Sequence, residues 1–219
     1  MEQKRINNKL PVAREGLPFI IAGAALAIIT GVFHLVFLAI VFSVITLFVA
    51  YFFRDPERIP IGNEQAVLTP ADGKILSVDR LDNGDHNCKH SSIKISIFMS
   101  IFNAHINRIP IKGKVLDISY TPGKFFSANM DKASKYNEHN IITLETNDDK
   151  KIVFVQIAGL IARRIACWIK ERDNVEAGQR FGLIRFGSRL EVYLPTNSKV
   201  TVQKGQKVKG GQTVIGYIQ

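Results

Sequence analysis

The hydrophobic pattern divides the chain into two unequal parts. Leu17–Phe53 contains no Lys, Arg, Asp or Glu, and it exceeds the roughly 20 apolar residues that carry one helix across a bilayer. A helical membrane anchor is therefore predicted. Thr30-Gly31 splits the run, leaving one long tilted helix, two short spans or a hairpin as its form. The run starts too late and is too long for a cleaved leader. "FFRDPERIP" (52–60) ends it with charges and two prolines.

Beyond that point the period changes to two. Ile93, Ile95, Ile97 and Met99 alternate with other residues, as on a half-buried strand. "IPIKGKVLDISYTPG" reads as another strand, and "IITLETNDDKKIVFVQIAG" as a hairpin turning at Asn147-Asp148-Asp149. "LIARRIACWIKER" has apolar residues at 161, 165, 168 and 169, which predicts a short helix. A phrase of the form Gly-x-x-Val/Ile recurs in "DGKILSV", "KGKVLDI" and "KGQKVKGGQTVIG", as in small barrel-sandwich carrier domains. The expected fold is mainly β, a compact barrel or sandwich at 54–219. A basic tail (1–16) and the hydrophobic helical segment (17–53) precede it.

Charge refines this picture. The chain carries a formal net charge of +10 over 219 residues. Lys4, Arg5, Lys9 and Arg14 precede the apolar run, and Arg54 and Arg58 follow it. Positive flanks on both sides favour a hairpin with both ends cytoplasmic. With a membrane segment alongside, anionic lipid is a simpler partner for the basic surface than nucleic acid. Cys88 and Cys167 show neither metal-ligand spacing nor a disulfide framework, which indicates a reducing compartment.

The chemistry turns on "RFGSRLEVYLP" (185–195), where Gly187-Ser188 sits in a strand-like run. A β-bulge with an exposed serine is one reading. A serine nucleophile is a second, although the G-x-S-x-G elbow is absent. Self-processing is the third. A serine hydroxyl lies close to the preceding carbonyl, and glycine there tolerates the distortion that attack requires.

Several motifs in one order bear on that choice. "TPADGKI", "MSIFNAHINRIPIKGKV", "FFSANMDKASKYNEHN" and "GQRFGLIRFGS" together resemble the short, archaeal-type branch of the phosphatidylserine decarboxylase proenzymes. The resemblance runs from about Phe52 to the C-terminus. It implies self-cleavage between Gly187 and Ser188 into a β chain (1–187) and an α chain (188–219) that stay associated. Ser188 would become a pyruvoyl group that forms a Schiff base with the substrate amine, with no metal and no pyridoxal phosphate. The implied reaction converts phosphatidylserine in the membrane to phosphatidylethanolamine and CO2. The expected location is the cell membrane, with the catalytic domain on its cytoplasmic face.

The same resemblance implies Asp72 and His105 as partners of Ser188. His105 would serve as base in processing, as acid in reprotonation, or as both. Aligned on Pro110, Arg108 stands where longer members have a second histidine, and arginine accepts no proton. His139 in "YNEHN" is a further site candidate. Phe125 and Phe126 beside Lys132 suit a lipid-facing loop. Arg163 and Arg164 suit a phosphate, because guanidinium presents paired donors to it, and equally suit a solvated helix face. No nucleic-acid partner is expected, and a homo-oligomer is left open. The rival reading is a lipoyl- or biotinyl-like carrier, or a membrane-attached scaffold, prompted by Asp131-Lys132-Ala133. Against it, Lys132 lacks the strand–Lys–strand setting of such carriers.

Overall fold

The computed structural model describes residues 6–128, 130–160, 164–185 and 187–219. Two apolar helices, α1 (Leu17–Val32) and α2 (Val36–Phe52), pack as a hairpin. The chain reverses at His34, whose φ is +57°. The helices approach so closely that a side chain at Gly23 would meet Thr46 Oγ1. Their outward faces stay bare, with Phe33 71% and Phe37 76% exposed, far more apolar surface than water tolerates in one patch. With the preceding turn, Arg14–Val32 is long and apolar enough to cross a membrane.

The remainder is mainly β. Its strands are β1 (Ala66–Leu68), β2 (Gly73–Leu81), β3 (Ser92–Met99), β4 (Ile106–Arg108), β5 (Gly113–Thr121), β6 (His139–Glu145) and β7 (Lys151–Ala158). They continue as β8 (Ile165–Cys167), β9 (Asn174–Val175), β10 (Arg180–Ile184), β11 (Ser188–Leu194), β12 (Lys199–Val200), β13 (Lys207–Val208) and β14 (Val214–Tyr217). A short helix, α3 (Asp131–Tyr136), interrupts the series. Eight strands form one curled antiparallel sheet in the order β13-β2-β3-β11-β7-β6-β5-β9. Two three-stranded sheets, β1-β14-β12 and β4-β10-β8, complete the barrel-like domain. Ile75, Ile95, Ile97, Phe154, Leu190 and Val192 fill its core, as the period-two pattern requires.

Two of the three recurring glycine phrases are arms of an internal pseudo-twofold. Pro70-Ala71-Asp72-Gly73 leads into β2 as Pro110-Ile111-Lys112-Gly113 leads into β5. Both strands shift register after their third residue. Each begins against a two-residue strand, Gly73 opposite Val208 and Gly113 opposite Val175. The cross-bonds are reciprocal: Leu68 N–H donates to Pro110 O (2.7 Å), and Arg108 N–H to Pro70 O (2.8 Å).

Two expectations need correction. Residues 165–167 form β8 rather than part of a helix. Their apolar positions serve two different cores, Trp168 facing the hairpin and Ile169 the barrel, so the helix-like spacing is coincidental. Gly187-Ser188 also does not lie within one continuous strand. β10 ends at Ile184, the chain bends, and β11 begins at Ser188.

Candidate active site

Gly187 occupies that bend with φ of +63°. This is the left-handed region, where an L side chain costs roughly 1–2 kcal/mol. Its carbonyl lies against Gly159, where any Cβ would collide with the Gly187 oxygen and approach Ala128 Cβ to 3.3 Å. Ser188 follows, buried, paired with Met99 of β3 on one side and Ala158 of β7 on the other. Its hydroxyl donates to Met99 Sδ at 3.5 Å, a weak acceptor. The oxygen is therefore held only loosely.

A chain of buried amides reaches the same methionine. Asn140 Nδ2 donates to Gln156 Oε1 (3.1 Å), Gln156 Nε2 to Asn107 Oδ1 (2.8 Å), and Asn107 Nδ2 to Met99 Sδ (3.8 Å). Sequence reasoning missed these residues. A glutamine among the apolar residues of "VFVQIA" was the available signal, since buried polar groups need partners.

Asn137 staples the segment at Phe126 to the end of β7, donating from Nδ2 to Phe126 O (2.8 Å) and Ala158 O (2.7 Å) and accepting from Phe126 N–H (2.8 Å). Phe125 and Phe126 are half-buried, and the Lys132 ammonium sits 4.3 Å from the centroid of the Phe126 ring. Arg164 is exposed and lines a cavity of about 300 Å3 with Glu15, Trp168 and Arg185. Arg185, not anticipated from sequence, also lies 5.5 Å from the centroid of the Phe19 ring. Arg163 lies outside the described residues.

His105 is completely buried, and its Nδ1 is 2.9 Å from Asn103 O. A carbonyl only accepts, so Nδ1 carries the proton of the neutral ring and Nε2 presents the lone pair. Nε2 has no partner among the described residues. Burial, reinforced by the Arg54 charge, lowers the histidine pKa to about 4 against the Asn103 bond. The ring is thus neutral at pH 7 and competent to accept a proton.

The structure does not bring the expected trio together by hydrogen bonds. Asp72 forms an ion pair with Arg58 (3.0 Å) and accepts from Gly210 N–H (2.7 Å). Among the described residues it makes no hydrogen bond to His105. His139 accompanies Asn137, with Nδ1 2.7 Å from its carbonyl. Strand alternation puts His139 on the face of β6 opposite Asn140, away from the buried amide chain. Beyond Ser188, Arg189 pairs with Glu191 at 2.9 Å on the other face of β11, and both are buried.

The phosphatidylserine decarboxylase family model matches residues 45–216. Curated relatives of high identity bear the name phosphatidylserine decarboxylase proenzyme, three of them as follows. The protein of Desulfotalea psychrophila is 49% identical over 210 residues, covering 96% of this chain and 98% of that one. The Syntrophus aciditrophicus protein is 50% identical over 207 residues (94% and 96%), and that of Rickettsia bellii 46% over 211 (93% and 89%). The match takes in both the buried serine behind its left-handed glycine and the buried His105, and nothing in it supports a carrier or scaffold. This chain belongs to the phosphatidylserine decarboxylase family, carboxy-lyases made as self-processing zymogens.

Proposed function

We propose that this chain severs its own Gly187–Ser188 bond, converts residue 188 to a pyruvoyl group, and decarboxylates phosphatidylserine at a membrane. The observation that carries this reading is the left-handed Gly187, its carbonyl lodged against Gly159, directly ahead of a buried, loosely held serine hydroxyl.

The chain's own atoms suffice for maturation. Ser188 Oγ attacks the Gly187 carbonyl carbon, the C–N bond breaks, and an ester joins Gly187 to Oγ with the residue 188 amine released. Loss of the Ser188 Cα proton expels the Gly187 carboxylate and leaves dehydroalanine at residue 188. Its tautomer is hydrolysed by water to a ketone and ammonia. His105 takes the hydroxyl proton on Nε2, the general-base role suited to a neutral imidazole. Asp72 is assigned the orienting carboxylate, which requires it to exchange Arg58 and Gly210 N–H for the imidazole.

The pyruvoyl ketone supplies the electron sink that no ordinary side chain provides. The site suits such a group, because cleavage at the bend would leave the fully buried residue 188 at a new chain end. Arg164 and Arg185 bind the lipid phosphate, and Arg163 adjoins Arg164 in sequence. Phe125 and Phe126 line the approach of the acyl chains, with His139 behind them. His105 returns a proton to the substrate α-carbon.

The apolar hairpin anchors the domain, and its positive flanks favour a cytoplasmic side for that domain. The short branch of the family fits a chain that matches its relatives nearly end to end. Intact-mass analysis of wild type and Ser188→Ala, with phosphatidylserine turnover measured on both, tests the reading. Wild type is expected as two chains, 1–187 and a blocked 188–219. The variant is expected as one inactive chain, and a processed or active variant overturns the proposal.

A further inference from the structure

The last turn of the membrane hairpin is built onto the histidine. The Phe52 ring lies 4.1 Å from the His105 ring, centroid to centroid, at 33°. Phe52 packs edge-on against Phe53 (5.0 Å, 80°), and Phe53 stacks on Phe19 (6.0 Å, 6°). An aromatic file thus runs from α1 to the imidazole. The loop ahead of His105 is tied to the same turn. Tyr51 Oη and Arg54 Nη2 both donate to Phe102 O, at 3.2 and 2.8 Å. Arg54 Nη1 also caps the helix at Tyr51 O (2.8 Å). Phe102 itself is exposed beside the hairpin base.

A second attachment fixes that base to the barrel. Asp55 is buried between Arg180 (2.9 Å) and Arg108 (3.5 Å) and accepts from Asn8 Nδ2 (3.0 Å). Ala13 N–H donates to Phe53 O at 2.7 Å. The hairpin therefore enters the domain as a fixed element.

From this geometry we infer that the hairpin is a wall of the active site as well as an anchor, with Phe52 the positioning residue that holds the His105 ring in place and keeps water from Nε2. The inference rests on the reading of His105 as the base. A flat apolar ring over the imidazole leaves Asn103 O as its one hydrogen-bond partner among the described residues and shuts out the solvent that would stabilise the charged form. Arg54 is the charged group acting on the ring from the hairpin side, and it disfavours protonation further. Displacing the hairpin would thus alter the base itself.

The test uses the full chain in phosphatidylserine-containing mixed micelles. His105 is titrated by NMR in the uncleaved Ser188→Ala precursor, and self-cleavage is timed with Ser188 intact. Phe52→Ala is expected to raise the His105 midpoint by about one pH unit or more, toward its ordinary value. It should also lengthen the cleavage half-time at least about tenfold, as misplacing a reacting group does. Phe52→Leu, which keeps most of the bulk, should shift both in the same direction by less, and it carries the test if the alanine variant does not fold. Leu183→Ala removes packing from the same cluster and should leave the midpoint unmoved. A folded Phe52→Leu with wild-type titration and cleavage overturns the inference. So does an equal shift in Leu183→Ala. Self-cleavage by His105→Gln at the normal rate would instead sink the assignment of the base, a separate result.

Discussion

Gly159 and Gly187 face each other backbone to backbone, so that a side chain on the first would run into the carbonyl oxygen of the second. Glycine at 159 is thereby explained by contact rather than by its own torsion angles, since its φ is not in the left-handed range. The contact bears on the carbonyl of the peptide unit at which cleavage is proposed.

Gly159→Ala should consequently displace the Gly187 carbonyl and slow self-cleavage by about ten- to a hundredfold, because small misplacements of reacting atoms are costly. A gel time course of precursor against products measures this. Cleavage at the wild-type rate in a folded variant would show that the contact is incidental.

Acid should destabilise the precursor through His105. Its folded pKa is near 4, against an unfolded value near 6.5. Between these values the unfolded chain binds more protons, so stability rises with pH across the window and is lost as pH falls from 6.5 to 4. Thermal melts of Ser188→Ala should show this slope, and adding His105→Gln should flatten it. Parallel slopes in the two proteins would contradict the assigned burial.

The outer face of β11 carries a buried charge cluster. Glu191 accepts from Tyr193 Oη (2.7 Å) and Ser134 Oγ (3.0 Å) and pairs with Arg189. Burial, followed by the Glu191 charge, pushes the Tyr193 phenol well above its ordinary range. Arg189→Met in the Ser188→Ala background leaves a buried carboxylate without its cation and should cost about 3–5 kcal/mol in urea unfolding. Replacing both members, Arg189→Met with Glu191→Leu, should cost less. A double variant as unstable as the single one would show that the stranded charge is not the cause.

Much of this fold was legible because period-two patterning survives wherever one sheet face is buried. Ile93 through Met99, the turn at 147–149 and the glycine phrases all fall where the pattern puts them. Gly187 and Ser188 were legible as a special backbone event, though their place at a bend between two strands was not. The contacts that organise the site join residues far apart in sequence. Phe52 on His105, Arg58 on Asp72 and Gly159 on Gly187 leave no local trace. Arg189 and Glu191 alternate with the core residues Leu190 and Val192, yet the loop holding Asn87 and helix α3 with Ser134 cover them. Residues 165–169 misled because two neighbouring cores share one short segment.

β11 is hydrogen-bonded on both edges, to β3 and to β7. Under the proposed cleavage, the bend is set by a strand seated between both neighbours, so maturation would double as quality control. A copy that failed to assemble would keep an inert alcohol and release no stray reactive ketone. A copy that succeeded would hold the severed piece woven into its centre.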